Sequence, residues 1–376
     1  MAPRILLDAT AVPADRGGLG RYVDGLLSAL HAQGADLAVA CQRADEKRYE
    51  GLVPGARVVA GPATLSHRAT RLAWEQSGLP HVAERVGADV IHLPTYTMPV
   101  SAVLPTVVTI HDVTLFAEPE VHDPVRTSYI KSATRTAARR ATRLIAPSHA
   151  TRDELVRVLH ADPTHIDVAY HGVDHEVFHR PSEAETKHVS DRLGLHGRPY
   201  VAYLGALEPR KNVPSLIRGW VHACKDRPDP PALVLAGGGW DDEVDAALAT
   251  VPLELRVLRP GYLPWSALPG FFGGAVVVAH PSRGEGFGLP VLEAMSCGAP
   301  VLTTRRGPLP EVGGDAVAYT EPEPAEIGEA LVALFDDPSR RAELAEAAHT
   351  RSQQFSWSAS AKAHLASYQR AADTAR

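Results

Sequence analysis

The hydrophobic positions of this chain gather in short unbroken runs, without strict alternation. Residues 5–7, 37–40, 57–59, 90–93, 107–110, 144–148 and 166–169 hold such runs in the first half. Residues 200–204, 232–236, 255–258, 275–278 and 301–302 repeat the pattern in the second. Continuous apolar runs bounded by turn residues predict strands buried on both faces, as in parallel sheets. Helical spacing falls between them. It predicts helices over 23–30, over 66–85 with a break near Pro80, over 128–143, from about Asp153, and over 213–223. A short helix is expected within 265–273, further helices from Glu323, and a last one over 357–371 with a weak apolar face. Strand and helix alternate twice over. The expected fold is therefore α/β, with two doubly wound, Rossmann-like domains at 1–180 and 198–355. The polar stretch 181–197 reads as their linker.

The stretch 279–311, AHPSRGEGFGLPVLEAMSCGAPVLTTRRGPLPE, organises the second half. Pro281, Gly284, Gly286 and Gly288 break the strand into a loop, and Pro290 suits the first turn of a helix. Gly298 and Pro300 stop that helix. Glu285 falls in the loop and Glu293 about one turn inside the helix. Glycines let a ligand approach the backbone, and free N–H groups at a helix start hold anionic or hydroxyl oxygens. Upstream, Arg210 and Lys211 stand together at another helix start, against the macrodipole. A bound diphosphate would explain them, and plain surface cations remain the alternative. Asn212 is a cap candidate there.

The first half offers three weaker signals. Gly17-Gly18-Leu19-Gly20 follows a strand, without dinucleotide-fingerprint spacing. It reads either as a tight turn or as a loop whose N–H groups touch phosphate or sugar. His111-Asp112 ends a strand, where open α/β sheets carry their sites. His111 could donate to a sugar hydroxyl or hold developing charge, or be a structural histidine tied to Asp112. Ser148 or Thr151 can cap the next helix. Arg68, Arg71 and Trp74 share one side of a helix, as an acceptor rim or plain surface. Residues 116–123 read as a mobile loop.

Composition narrows the class. With 376 residues, 45% of them hydrophobic, two domains are expected. A net charge of −6 without long runs argues against a nucleic-acid surface. Cys41, Cys224 and Cys297 have neither metal nor disulfide-framework spacing, which suits a reducing compartment. The opening residues read as a strand and not as a signal peptide. No apolar run reaches the ~18 residues of a membrane span. A cytoplasmic protein is expected. The Arg-bearing helices near Arg68 and Arg135 permit peripheral contact with an anionic membrane.

Taken with GGLGRY, APSHATRDEL, HGVD, YLGALEPRKN and LAGGG, the stretch SRGEGFGLPVLEAMSCGAPV resembles the retaining GT-B glycosyltransferases of family 4, which include bacterial mannosyltransferases. The likeness spans nearly the whole chain. It implies two Rossmann-like domains about a central cleft, with acceptor in the first and nucleotide sugar in the second. Residues 356–376 would form a helix crossing back to the first domain. Glu285 would face the donor sugar, and Glu293 would accept the ribose hydroxyls. Arg210 and Lys211 would bind the diphosphate as leaving group. Gly286, Phe287, Gly288 and Leu289 would present backbone groups to the donor, and Tyr262 and Leu263 would lie near the base. His111 would contact the transferred sugar, while Gly18 and Gly20 close over the donor. Ser148 and Gly205 count with the donor-binding positions. The implied co-substrate is a nucleotide sugar, GDP-mannose first, with UDP-glucose, other UDP-sugars and dTDP-sugars open. The acceptor would be a glycan, lipid-linked or small-molecule hydroxyl. No metal is implied, and no Asp-x-Asp pair ends a suitable strand. Retention could be same-face substitution or covalent double displacement by Glu285. A sugar-nucleotide epimerase of the same shape and a non-catalytic carbohydrate-binding scaffold are the rival readings.

Overall fold

A computed structural model describes residues 2–101, 103–117, 124–239 and 242–374, the side chains at 115, 117 and 124–127 excepted. The chain divides into two units, one of residues 1–172 with 356–376 and one of residues 173–355.

The first unit holds a seven-stranded parallel sheet of β1 (Ile5–Asp8), β2 (Leu37–Cys41), β3 (Arg57–Ala60), β4 (Val90–Leu93), β5 (Thr106–Thr109), β6 (Arg143–Ala146) and β7 (Ile166–Val168). Its order is β3-β2-β1-β4-β5-β6-β7. Ile5 pairs with Leu37 on one side and Val90 on the other, so the strand order reverses beside β1. The second unit holds β8 (Tyr200–Leu204), β9 (Ala232–Ala236), β10 (Val257–Gly261), β11 (Val277–His280), β12 (Val301–Thr304) and β13 (Ala318–Thr320), in the order β10-β9-β8-β11-β12-β13. Here the order reverses between β8 and β11. Both are doubly wound sheets, and every position of β1, β2, β9, β11 and β12 is buried, as the apolar runs require.

Several expectations change. The Gly17–Gly20 stretch is not a loop but the first turn of helix Gly17–Ala32, entered through Arg16 at φ 63°. Helix Arg68–Val86 does not break at Pro80. Proline forfeits one backbone bond, but Leu79, Val82, Ala83 and Val86 are buried around it and hold the helix on the sheet. The stretch read as a linker carries helix Glu183–Arg192, closed by a Ser182–Glu185 capping box, and belongs to the second unit. The expected mobile loop is in part helix Thr114–Ala117, and residues 118–123 lie outside the described residues.

The weak apolar face of helix Trp357–Asp373 has a specific cause. It buries Ser360, His364, Ser367 and Tyr368 among its alanines. Trp357 packs against Gly25 and Gly172, where a Cβ would collide with it. His364 and Tyr368 belong to one directed chain of buried hydrogen bonds. His364 Nδ1 lies 2.8 Å from the Ser360 carbonyl, which can only accept, so Nδ1 donates and Nε2 accepts. Tyr22 therefore donates to His364 Nε2 (2.8 Å) and accepts from Thr109 Oγ1 (2.9 Å). Thr109 accepts from His92 Nε2 (2.8 Å), and His92 Nδ1 accepts from Tyr368 (2.8 Å). Both histidines are neutral. Burial holds His364 down at about 4 and His92 well below the usual imidazole range.

Candidate active site

In open α/β sheets, ligands bind at the carboxyl ends of strands where the order reverses. In the second unit that place lies between β8 and β11, and the loops after these strands carry the expected charges. Pro209–Lys211 is a single 3-10 turn, followed by helix Val213–Cys224. Residues 281–288 lead from β11 into helix Leu289–Ser296, with Gly288 at φ 100° as its N-cap. The two loops are tied by the Arg283 N–H donating to the Arg210 carbonyl (2.8 Å). Asn212 sits at the N-cap position, but its side chain does not cap. It donates to the carbonyls of Pro281 (3.1 Å) and Pro322 (2.6 Å), bracing the second loop from beneath.

Glu285 is the centre of this arrangement. Lys211 Nζ lies 2.6 and 2.8 Å from its two oxygens. Arg210 Nη1 donates to Oε2 at 3.1 Å, and His280 Nε2 and Ser282 Oγ donate to Oε1 at 2.8 and 2.7 Å. Burial pushes the Glu285 carboxyl up, but Lys211, His280 and Arg210 outweigh it and hold the group well below its usual range. It is a fixed carboxylate. Sequence reading missed His280 and Ser282. The available signal was a histidine and a serine flanking a proline at a strand's carboxyl end. His280 stacks on Tyr203 at 5.6 Å and 12°, and Thr303 and Thr304 hold the carbonyls of His280 and Ser282.

Around this centre the glycines have work to do. A Cβ on Gly288 would meet Leu309 at 2.8 Å, and one on Gly205 would meet the Tyr203 hydroxyl at 2.8 Å. Phe287 turns its ring inward, edge-on to Phe355 at 6.0 Å, so that position has only backbone to offer. Glu293 is buried in the helix. Tyr262 is 74% exposed and Leu263 half-buried.

The first-unit positions divide. Ser148 caps helix His149–Leu159, accepting from the Thr151 N–H at 3.0 Å. Gly20 is packed, since a Cβ there would meet Arg16 at 2.6 Å, whereas Gly18 has open space around it. His111 is not tied to Asp112. Its Nε2 donates to the Pro94 carbonyl (2.8 Å), while Asp112 accepts from Tyr96 and Thr114. Burial lowers the His111 imidazole, so the ring is neutral and Nδ1 is an acceptor. The expected role as hydroxyl donor is thereby reversed: His111 can accept from a hydroxyl, not donate to one. Among the described residues, no His, Cys, Asp and Glu side chains gather as three or more metal ligands.

Solved structures share this architecture throughout. An Anabaena protein, Alr3699/HepE, in complex with UDP and glucose, superposes with a TM-score of 0.76 at 22% identity, covering 96% of this chain and 97% of its own. Sucrose-phosphate synthase from Thermosynechococcus elongatus gives 0.78 at 20% identity and 98% coverage of both chains. The two units are thus the Rossmann-like halves of a GT-B fold. Sequence families give the rest. The "Glycosyltransferase Family 4" model matches residues 16–177 and the "Glycosyl transferases group 1" model matches residues 186–351. O-antigen chain mannosyltransferase B of Escherichia coli is 31% identical over 272 residues, 71% of each chain. D-inositol 3-phosphate glycosyltransferase of Corynebacterium kroppenstedtii is 28% identical over 392 residues, 93% of this chain and 84% of its own. The chain belongs to glycosyltransferase family 4 and is a glycosyltransferase.

Proposed function

We propose a retaining hexosyltransferase that moves mannose from GDP-mannose to a hydroxyl of a glycan, lipid-linked or small-molecule acceptor. The observation that carries this reading is the pair of adjacent cations, Arg210 and Lys211, held on Glu285 at the switch point of the second unit. Cleaving a sugar–diphosphate bond builds negative charge on the leaving phosphate, and cations fixed there stabilise it. Glu293 takes the ribose hydroxyls, and backbone groups of Gly286, Phe287, Gly288 and Leu289 take the donor's remaining oxygens. His111 Nδ1 accepts from a hydroxyl of the transferred sugar.

What Glu285 is unable to do bears on the route to retention. A carboxylate accepting from Lys211, Arg210, His280 and Ser282 has its lone pairs engaged and its basicity lowered. It is a poor nucleophile, which favours same-face substitution over a covalent intermediate. The C1–O bond to the diphosphate breaks with its electron pair leaving on the phosphate oxygen. The acceptor oxygen bonds to C1 on the same face, and its proton passes to that phosphate oxygen.

The mannosyltransferase relative supports mannose, whereas the UDP complexes of the Anabaena protein support a UDP-sugar as the second reading. Calorimetry with GDP, UDP, dTDP and ADP decides between them. Tight binding of GDP alone is expected, and UDP binding without GDP binding would overturn the donor assignment. In the same assay Glu293→Gln should weaken the nucleotide by about 1.5–3 kcal/mol, the usual worth of a charged hydrogen bond. An unchanged affinity would remove Glu293 from the site.

A further inference from the structure

We propose that Glu75, together with Gln76, is a positioning residue for transfer, acting on His111 through the loop that follows β4. The proposal rests on the reading of His111 as a contact of the transferred sugar. That loop, residues 94–100, is held from two sides. On one side the Pro94 carbonyl accepts from His111 Nε2 (2.8 Å), which leaves Nδ1 bare. Tyr96 sits at φ 44°, a left-handed conformation that a bulky residue keeps only when its surroundings impose it. Its N–H donates to the Thr109 carbonyl (3.2 Å) and its hydroxyl to Asp112 (3.0 Å). On the other side, helix Arg68–Val86 grips three further points. Thr97 Oγ1 donates to Glu75 Oε2 (2.5 Å), Gln76 Nε2 donates to the Met98 carbonyl (3.0 Å), and the Val100 N–H donates to Gln76 Oε1 (2.8 Å). Gln76 Nε2 also donates to Glu75 Oε1 (3.1 Å), so the two side chains form one clamp.

A carboxyl is a costly choice for this clamp. Glu75 is 5% exposed, and among the described residues it has no ion pair. An amide or a hydroxyl could hold the loop without the cost of burying a charge. Burial pushes the Glu75 carboxyl up to about 7 and Asp8, at the end of β1, adds to it, while Thr97, Gln76 and Arg71 work against it. Tyr129 of helix Pro124–Arg140 faces the same group, its phenol raised by burial and by Glu75 and lowered by Arg68. What the carboxyl adds is two acceptor oxygens of full strength when it is ionised. Protonation turns one of them into a donor facing Thr97 or Gln76, which are donors themselves. The clamp therefore tightens as Glu75 ionises, and the His111 tautomer is fixed with it.

The test is NMR of the full chain labelled with nitrogen-15 at histidine, with His111 assigned by its loss in His111→Gln. Its ring nitrogens should report the Nε2–H tautomer alone at pH 8 and a mixture at pH 6, with a midpoint of about 7. In Glu75→Gln that change should be gone. In transfer assays the wild-type kcat should rise roughly tenfold from pH 6 to 8, as the ionised fraction of one such group does. Glu75→Gln should lower kcat at pH 8 by roughly 10- to 100-fold, the cost of a misplaced contact, with a flat profile and unchanged nucleotide affinity. The same variant should gain stability relative to wild type as pH rises from 5 to 8, because a carboxyl raised in the fold costs most when ionised. A purely structural clamp would not lose turnover while gaining stability. Thr97→Val removes one donor to the carboxylate and should move the midpoint upward, and Thr97→Ser should bring it back. A wild-type His111 signal that stays constant from pH 6 to 8, the same titration in folded Glu75→Gln, or a wild-type kcat in that variant would overturn the proposal. If Glu75→Gln misfolds, the Thr97 pair decides, and an unmoved midpoint in Thr97→Val overturns it. If no nucleotide sugar supports turnover, the NMR still decides: loss of the titration in Glu75→Gln sustains the coupling to His111, and its persistence ends it.

Discussion

Each unit buries a polar cluster, and the two clusters follow opposite designs. In the second unit, cations converge on one ionised carboxylate, Glu285. In the first, neutral groups pass hydrogen bonds in a single direction from Tyr368 through His92, Thr109 and Tyr22 to His364 and the Ser360 carbonyl. A buried ion pair is weak evidence of stability, because desolvation offsets the attraction. Its value here is charge of the right sign held in place. The neutral chain carries no charge to offer, and its worth is the unique arrangement that a fully satisfied network imposes. Buried polarity alone therefore does not mark a site. Net charge within the cluster does.

That contrast can be broken experimentally. The largest effect should come from Lys211→Ala. It leaves Glu285 a buried carboxylate short of its closest cation and should cost the protein about 3–5 kcal/mol. Donor binding and turnover should fall together. Denaturant unfolding with calorimetry would read both, and unchanged stability would mean the pair is dispensable. Next comes Tyr22→Phe. It orphans His364 Nε2, which should cost about 1–3 kcal/mol, while Thr109 Oγ1 keeps the bond it accepts from His92. Nucleotide affinity should stay at its wild-type value. A weakened nucleotide would show that the neutral chain is not purely structural.

The smallest effect is a pH dependence. His364 has its pKa lowered from 6.5 to about 4. Its contribution is full above pH 6.5 and is lost as pH falls towards 4. Glutamine does not titrate, so the stability deficit of His364→Gln should shrink on acidification, by about 2 kcal/mol between pH 7.5 and 5. Glu285 works in a different window. Its carboxyl is held below 4.5, so its contribution is full above 4.5 and lost only as pH falls further. The deficit of Glu285→Gln should stay flat over the range in which that of His364→Gln shrinks. Urea titrations of both variants at pH 7.5, 6 and 5 compare them directly.

The strands were legible because parallel sheets bury both faces and leave continuous apolar runs. Where burial is partial, legibility fails. β10 has exposed and half-buried positions and begins two residues later than its apolar run, and the three residues of β13 gave no run at all. Capping chemistry outweighed composition at 181–197, where Ser182 and Glu185 are the capping pair of a helix within a polar stretch. Arg210, Lys211 and Glu285 could be named from sequence because charge at a glycine loop has few structural excuses. Their mutual pairing could not, since 74 residues separate Lys211 from Glu285 and only the strand order brings them together. The reversal of His111 was equally hidden, because it depends on a carbonyl 17 residues away.

The neutral chain also constrains how the protein is made. It leaves helix Trp357–Asp373 at Tyr368 and returns to it at His364, and the Tyr22–His364 bond spans 342 residues. No shorter piece of the polypeptide can close it. Once residues 1–172 have left the ribosome, Tyr22, His92 and Thr109 must wait while the whole second unit is synthesised, roughly 10–40 s at typical elongation rates. Until then water supplies their missing partners. The first unit is the first to be translated and the last to be completed, and a nascent chain that stalls before residue 360 carries an open polar core.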